Sequence, residues 1–139
     1  MLSASEQKQV AAAIREAETM TSGEIRVHIA QHCKNNVMES AVDHFNRLKM
    51  DQTAHRNGTL IFVAIKDKKV AILGDTGIDA VVPSDFWDNT LNLMRSHFRN
   101  NALTEGLYKG IEQVGLLLKQ YFPYQSDDIN ELPDDISFS

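Results

Sequence analysis

Leu60-Ile61-Phe62-Val63-Ala64-Ile65, followed by Lys66-Asp67-Lys68-Lys69 and then Val70-Ala71-Ile72-Leu73, decides the fold. Six consecutive apolar residues behind an Asn57-Gly58 turn read as a strand covered on both faces, because a half-exposed strand would alternate. The polar run Lys66 to Lys69 reverses the chain, and Val70 to Leu73 returns antiparallel as the second arm of a hairpin. A strand buried on both sides belongs in the middle of a sheet with helices above and below it.

Working outward, Glu24 to His32 alternates, with Ile25, Val27 and Ile29 on one face and Glu24, Arg26 and His28 on the other. That pattern predicts a half-buried strand, with His28 as a surface residue. Before it, Ser3 to Met20 carries Val10, Ile14, Ala17 and Met20 at helical spacing, and Thr21-Ser22-Gly23 stops the helix. After it, Asn35 or Asn36 caps a helix with Met38, Ala41, Val42, Phe45 and Leu48 inward, ending near Asp51. Two strands flanking a helix are expected to be parallel, with a right-handed crossover.

Beyond the hairpin, Gly74-Asp75-Thr76-Gly77 reads as a tight loop. Ser84 is the expected cap of a third helix bearing Phe86, Trp87, Leu91, Met94 and Phe98, with Trp87 mostly buried. Thr104 is the expected cap of a fourth, bearing Leu107, Ile111, Val114, Leu118 and Tyr121, which Pro123 ends. The order α-β-α-β-β-α-α predicts a three-layer α/β/α sandwich around a small mixed sheet of three or four strands. Residues 1–124 form this domain. Residues 125–139 read as an acidic, disordered tail in which Ile129, Leu132, Ile136 and Phe138 are the groups able to dock.

Charge sorts the same way. All 14 Lys and Arg precede Pro123, with 14 of the 19 acids; the other five are Asp127, Asp128, Glu131, Asp134 and Asp135. A neutral body is poor for nucleic acid, which asks for a basic face. No apolar run approaches the roughly 18 residues that span a bilayer, and no signal pattern opens the chain. The reading is a soluble, cytoplasmic protein without a membrane segment. One cysteine, Cys33, excludes an internal disulfide and is read as a bland thiol at a strand end. The histidines are not read as zinc ligands.

Strand direction locates the candidate chemistry. If the third strand runs back, its exit lies at the end of the sheet where the first two enter. That rim carries Glu24, Asn57, Asp75 and Asp79, with Asp85 and Asp88 starting the next helix nearby. Calcium and magnesium take oxygen ligands, and two to four carboxylates with carbonyls and water suffice. Glu24, Asp75 and Asp79 are the candidate metal ligands, with Asp85 a fourth. The competing reading is that the aspartates serve turns and caps and that Glu24 pairs with Arg26 or Arg56.

Ser22-Gly23-Glu24-Ile25-Arg26-Val27, Arg56-Asn57-Gly58-Thr59-Leu60-Ile61, Ile72-Leu73-Gly74-Asp75-Thr76-Gly77-Ile78-Asp79, Phe86-Trp87, Glu105-Gly106-Leu107, Gly110-Ile111 and Tyr121-Phe122-Pro123-Tyr124 together resemble the TPM domain family, over roughly residues 5 to 124. The resemblance implies an α/β/α sandwich. It also implies a divalent ion at the acidic loop of some members and acid phosphatase activity in a plant member. The family's loop usually reads Gly-x-Gly-x-Glu; here Gly77 is the second glycine and the shorter Asp79 stands for the glutamate.

Two functions follow as expectations. The first is a divalent-cation-binding module, calcium ahead of magnesium, with a structural or protein-partner role. The second is a metal-assisted acid phosphatase acting on small phosphate esters, with Arg26 and Arg56 as the available cations. No catalytic residue is assigned.

Overall fold

The computed structural model describes residues 2–125 and 136–139. The elements in order are α1 (Ala4–Glu18), β1 (Glu24–Ala30), α2 (Val37–Arg47), β2 (Gly58–Ala64), β3 (Lys69–Gly74), α3 (Thr76–Asp79), α4 (Asp88–Arg99), α5 (Leu103–Tyr121) and β4 (Ser137–Phe138). They form a three-layer α/β/α sandwich around a four-stranded mixed sheet of order β3-β2-β1-β4. β1 is parallel to β2, and β3 is antiparallel to β2.

The pleat divides the core. Ile25, Val27, Ile29, Ile61, Val63, Val70 and Ile72 face α1, α4 and α5. Leu60, Phe62, Ala64, Ala71 and Ala30 face α2, where Phe45 and Met50 meet them. Every residue of β2 is buried, as a continuously apolar central strand requires. β1 is also buried on both faces except at Arg26. Its alternating sequence predicts half-exposure, but α2 covers the polar face.

Caps account for most differences from the expected boundaries. Ser3 forms a full capping box with Glu6, and Asn36 caps α2 through the Met38 N–H. Ser84 does not cap the next helix: residues 84–87 form turns and α4 starts at Asp88. Thr104 lies inside α5 and donates its hydroxyl to the Glu6 carboxylate. Phe86 is buried, whereas Trp87 is only partly buried, edge-on to Phe86 at 4.6 Å.

Of the segment expected to be a disordered tail, residues 126–135 lie outside the described residues. Residues 136–139 return to the sheet: Ile136 packs on the core and Ser137–Phe138 pairs in parallel with His28 and Ile29. Two docking residues of that tail, Ile136 and Phe138, thus seat the short fourth strand. No helix among the described residues is long and apolar enough to cross a membrane.

Candidate functional site

The rim exists as a row across the sheet. Glu24 pairs with Gly58, the Asp75 N–H donates to the Gly58 carbonyl at 2.9 Å, and Thr59 pairs with Gly74. Glu24 and Asp75 therefore flank one glycine, with their Cα atoms two strand spacings, about 10 Å, apart. Both residues are buried, each 4% exposed.

Gly74-Asp75-Thr76-Gly77 is not a loop. Asp75 is the N-cap of the one-turn helix α3, its Oδ1 accepting the Thr76 N–H at 2.7 Å. Its carboxylate also accepts a bidentate pair from Arg56, Nε to Oδ2 at 2.7 Å and Nη2 to Oδ1 at 2.9 Å. The Asp75 side chain thus lies within the structure rather than outside it. Arg56 reaches it from a left-handed backbone (φ 50°), a conformation a non-glycine residue holds at some cost. Gly77 closes the turn. A Cβ there would stand 2.4 Å from the His55 carbonyl oxygen and 2.7 Å from that of Arg56, so two backbone oxygens crowd this point.

Asp79 ends α3 and is exposed. Its carboxyl is raised above its ordinary value, first by partial desolvation and then by the negative charge of Asp75. The Asp79 N–H donates to the Asp75 carbonyl at 3.0 Å, but its carboxylate has no hydrogen-bond or ion-pair partner among the described residues. Asp85 is exposed in the turn before α4, its carbonyl taking the Asp88 N–H. Glu24 donates its backbone N–H to the Asn57 carbonyl at 3.1 Å.

Asn57 is the residue whose weight at the rim the sequence least discloses. It is 3% exposed and its Nδ2 donates to the Ser22 carbonyl, but its Oδ1 is buried without a hydrogen-bond partner among the described residues. A buried amide oxygen without a donor is a costly vacancy for a proton or a cation. Among the described residues, no three of His, Cys, Asp and Glu converge closely enough to hold a metal ion on those side chains alone.

Other reactive groups are occupied. Cys33 donates from its N–H and Sγ to Asp67, and burial followed by that carboxylate pushes its thiol up, away from a nucleophilic thiolate. His28 is buried, not on the surface. Its ring stacks on Phe62 and meets that of His44 at 4.2 Å, and its nitrogens reach Ser137 and Ser139. The covering strand β4 and helix α2 bury it, and neither was implied by the local alternation.

The family model of the TPM domain matches residues 1–116. The chain is similar to BA42 protein from the psychrophilic bacterium Bizionia argentinensis, solved by NMR, with TM-score 0.93 and 47% identity over 100% of this chain and 96% of that one. It is also similar to the N-terminal domain of a P. gingivalis protein (TM-score 0.72, 16% identity, 89% of this chain and 82% of that one). The N-terminal domain of cg2496 from Corynebacterium glutamicum gives TM-score 0.63 and 12% identity over 94% and 82%. At these last two identities the likeness shows the fold alone. No curated protein matches.

Proposed function

We propose, from the premise that this chain belongs to the TPM domain family, that it is a divalent-cation-binding module whose ion sits at the rim between Asp75 and Asp79. The observation that carries this reading is Asp79: an accessible carboxylate, raised first by partial desolvation and then by its neighbour's charge, with no cationic partner among the described residues. Arg56 neutralises Asp75 but leaves Asp79 uncompensated.

The donor set fits a hard cation. Asp75 and Asp79 supply carboxylate oxygens, the carbonyls of His55 and Arg56 lie beside Gly77, whose N–H donates to that of Arg56 at 2.9 Å, and the Asn57 amide oxygen has no hydrogen-bond partner among the described residues. Magnesium and calcium both accept one or two carboxylates completed by carbonyls and water. Three of the four lone-pair directions of Asp75 are already taken by Arg56 and Thr76. Asp79 is therefore the principal ligand and Asp75 gives one oxygen. Glu24 lies across Gly58 from Asp75 and borders the site. Carbonyl donors in an irregular turn favour calcium, with its flexible coordination, over magnesium, which demands a near-ideal octahedron, and so few carboxylates set an affinity on the order of 10⁻⁴ to 10⁻³ M.

The module's role is structural or partner-binding, in the cytoplasm. Metal-assisted hydrolysis of phosphate esters, in which the ion would act as a Lewis acid, is the weaker reading. A phosphatase needs a cation facing the phosphoryl group, and Arg56 is committed to Asp75.

Calorimetric titration of chelator-treated protein with calcium and with magnesium tests the site, using wild type, Asp79→Asn and Asp75→Asn. Saturable binding that Asp79→Asn weakens at least about tenfold supports it. No heat at millimolar ion sinks it, and binding indifferent to both substitutions moves the ion elsewhere. A phosphate-ester assay with and without metal separates module from enzyme.

A further inference from the structure

The opposite end of the sheet has the opposite charge. An open cleft of about 570 Å³ lies where β1 and β2 end and β3 begins. Lys68 and Lys69 form one wall at the β2–β3 turn, and Arg95 and Arg99 form another from α4. Val37, at the start of α2, and Val70 give it an apolar floor. No carboxylate among the described residues lines it. α2 and α4 lie on opposite faces of the sheet, so the cleft wraps the β3 edge; its cations come from the β2–β3 turn and from α4, and the α2 side contributes Asn35, Asn36 and Val37.

Three features distinguish this from scattered surface charge. None of the four cations has an ion-pair partner among the described residues, although five such pairs occur elsewhere, three of them involving Lys or Arg. Asp67, the nearest carboxylate in sequence, turns away to Cys33 and His32. Lys68 holds a left-handed backbone (φ 53°) that glycine would adopt without strain, so a lysine stands where the turn favours a residue without a side chain. The place also suits a ligand: in open α/β sheets, small molecules bind outside the carboxyl ends of parallel strands.

Arg95 and Arg99, four residues apart, share a helix face, and guanidinium groups grip phosphate bidentately. Lys68 and Lys69 face them as compact point charges. Two pairs of cations across one cleft match two adjacent anionic groups better than one. We propose that this cleft is a binding site for a small molecule bearing a diphosphate group, either free or carried on a nucleoside. Its size lies within the range of small-ligand pockets, and its basic area is a local cluster rather than the extended stripe a nucleic-acid strand needs.

The test is amide chemical-shift titration of the metal-free full chain with inorganic pyrophosphate, ADP, orthophosphate and a short single-stranded oligonucleotide at constant ionic strength. Removing metal keeps a rim-bound cation from recruiting the anion, so failure here leaves the rim proposal standing. The expected result is saturable pyrophosphate binding with shifts confined to residues 35–37, 68–70 and 95–99. Orthophosphate should bind about tenfold more weakly, and Lys68→Gln/Lys69→Gln and Arg95→Gln/Arg99→Gln should each lose tenfold or more. Tighter binding of ADP than pyrophosphate assigns the nucleoside-borne form, and the reverse assigns the free one. All four side chains are on exposed residues, so unchanged thermal melting of the variants confirms an intact fold. Shifts that sodium chloride reproduces, no saturation at millimolar pyrophosphate, wild-type affinity in both double variants, or preferential oligonucleotide binding would each overturn the proposal.

Discussion

Acidification should destabilise this protein through His28, and the size of the loss follows from its surroundings. The ring is covered by α2 and β4, and its pKa is lowered from 6.5 to about 4, first by desolvation, then by His44 and Arg26. Hydrogen bonding is not the cause: Ser137 and Ser139 hydroxyls accept or donate, so they serve the neutral and the charged ring alike. With the folded pKa depressed, the unfolded chain binds more protons between the two values. Stability is therefore complete above pH 6.5 and is lost as the pH falls toward 4. Integrating the linkage for that shift gives about 2 kcal/mol by pH 5. The sheet edge is near solvent, so about 1–2 kcal/mol is the expected loss. Urea unfolding at pH 7, 6 and 5, for wild type and His28→Gln, measures it, because the carboxylates common to both cancel in the difference. The wild-type curve should fall more steeply by that amount. Parallel curves, or an NMR titration of the His28 ring with a midpoint near 6.5, would refute the reasoning.

Gly77→Ala should cost about 1–3 kcal/mol in thermal or chemical unfolding, because its Cβ would meet two backbone oxygens that cannot rotate aside. It should weaken any ion at the rim by the same displacement. Asp75→Asn should cost about 1–3 kcal/mol in urea unfolding, since it breaks a charge pair whose acid is buried while keeping an acceptor for the Thr76 N–H. Asp79→Asn should instead stabilise metal-free protein by a few tenths of a kcal/mol at pH 7, and the gain should vanish at acid pH, where the raised carboxyl is protonated. Melting curves at the two pH values check this, and a destabilised variant would mean that Asp79 has a partner.

How much of this was legible in sequence depends on the range of the interaction. β2 and the β2–β3 hairpin were readable because burial on both faces leaves an uninterrupted apolar run, and a lysine-rich turn has no other local meaning. The parallel β1–β2 pairing followed from the intervening helix, and with it the shared rim of Glu24 and Asp75. The partner of Asp75 was not legible. Arg56 lies 19 residues upstream, and by sequence it is as good a partner for Glu24; its guanidinium reaches Asp75 only because residues 53–57 turn back under α3. His28 failed for the same reason. Alternation marks a face as polar but cannot say that a helix and a distant edge strand will cover it. The basic cleft was hidden by arithmetic: equal numbers of acids and bases in the body gave no net charge to notice. Yet Asp67 turns to Cys33 and His32 while Lys68 and Lys69, its neighbours in the same turn, line the cleft with Arg95 and Arg99. Sequence fixes how many charges a chain has. Which ones cancel is decided by pairings between elements: Arg56 holds Asp75, while the Asp79 carboxylate and the four cations of the cleft have no ion-pair partner among the described residues.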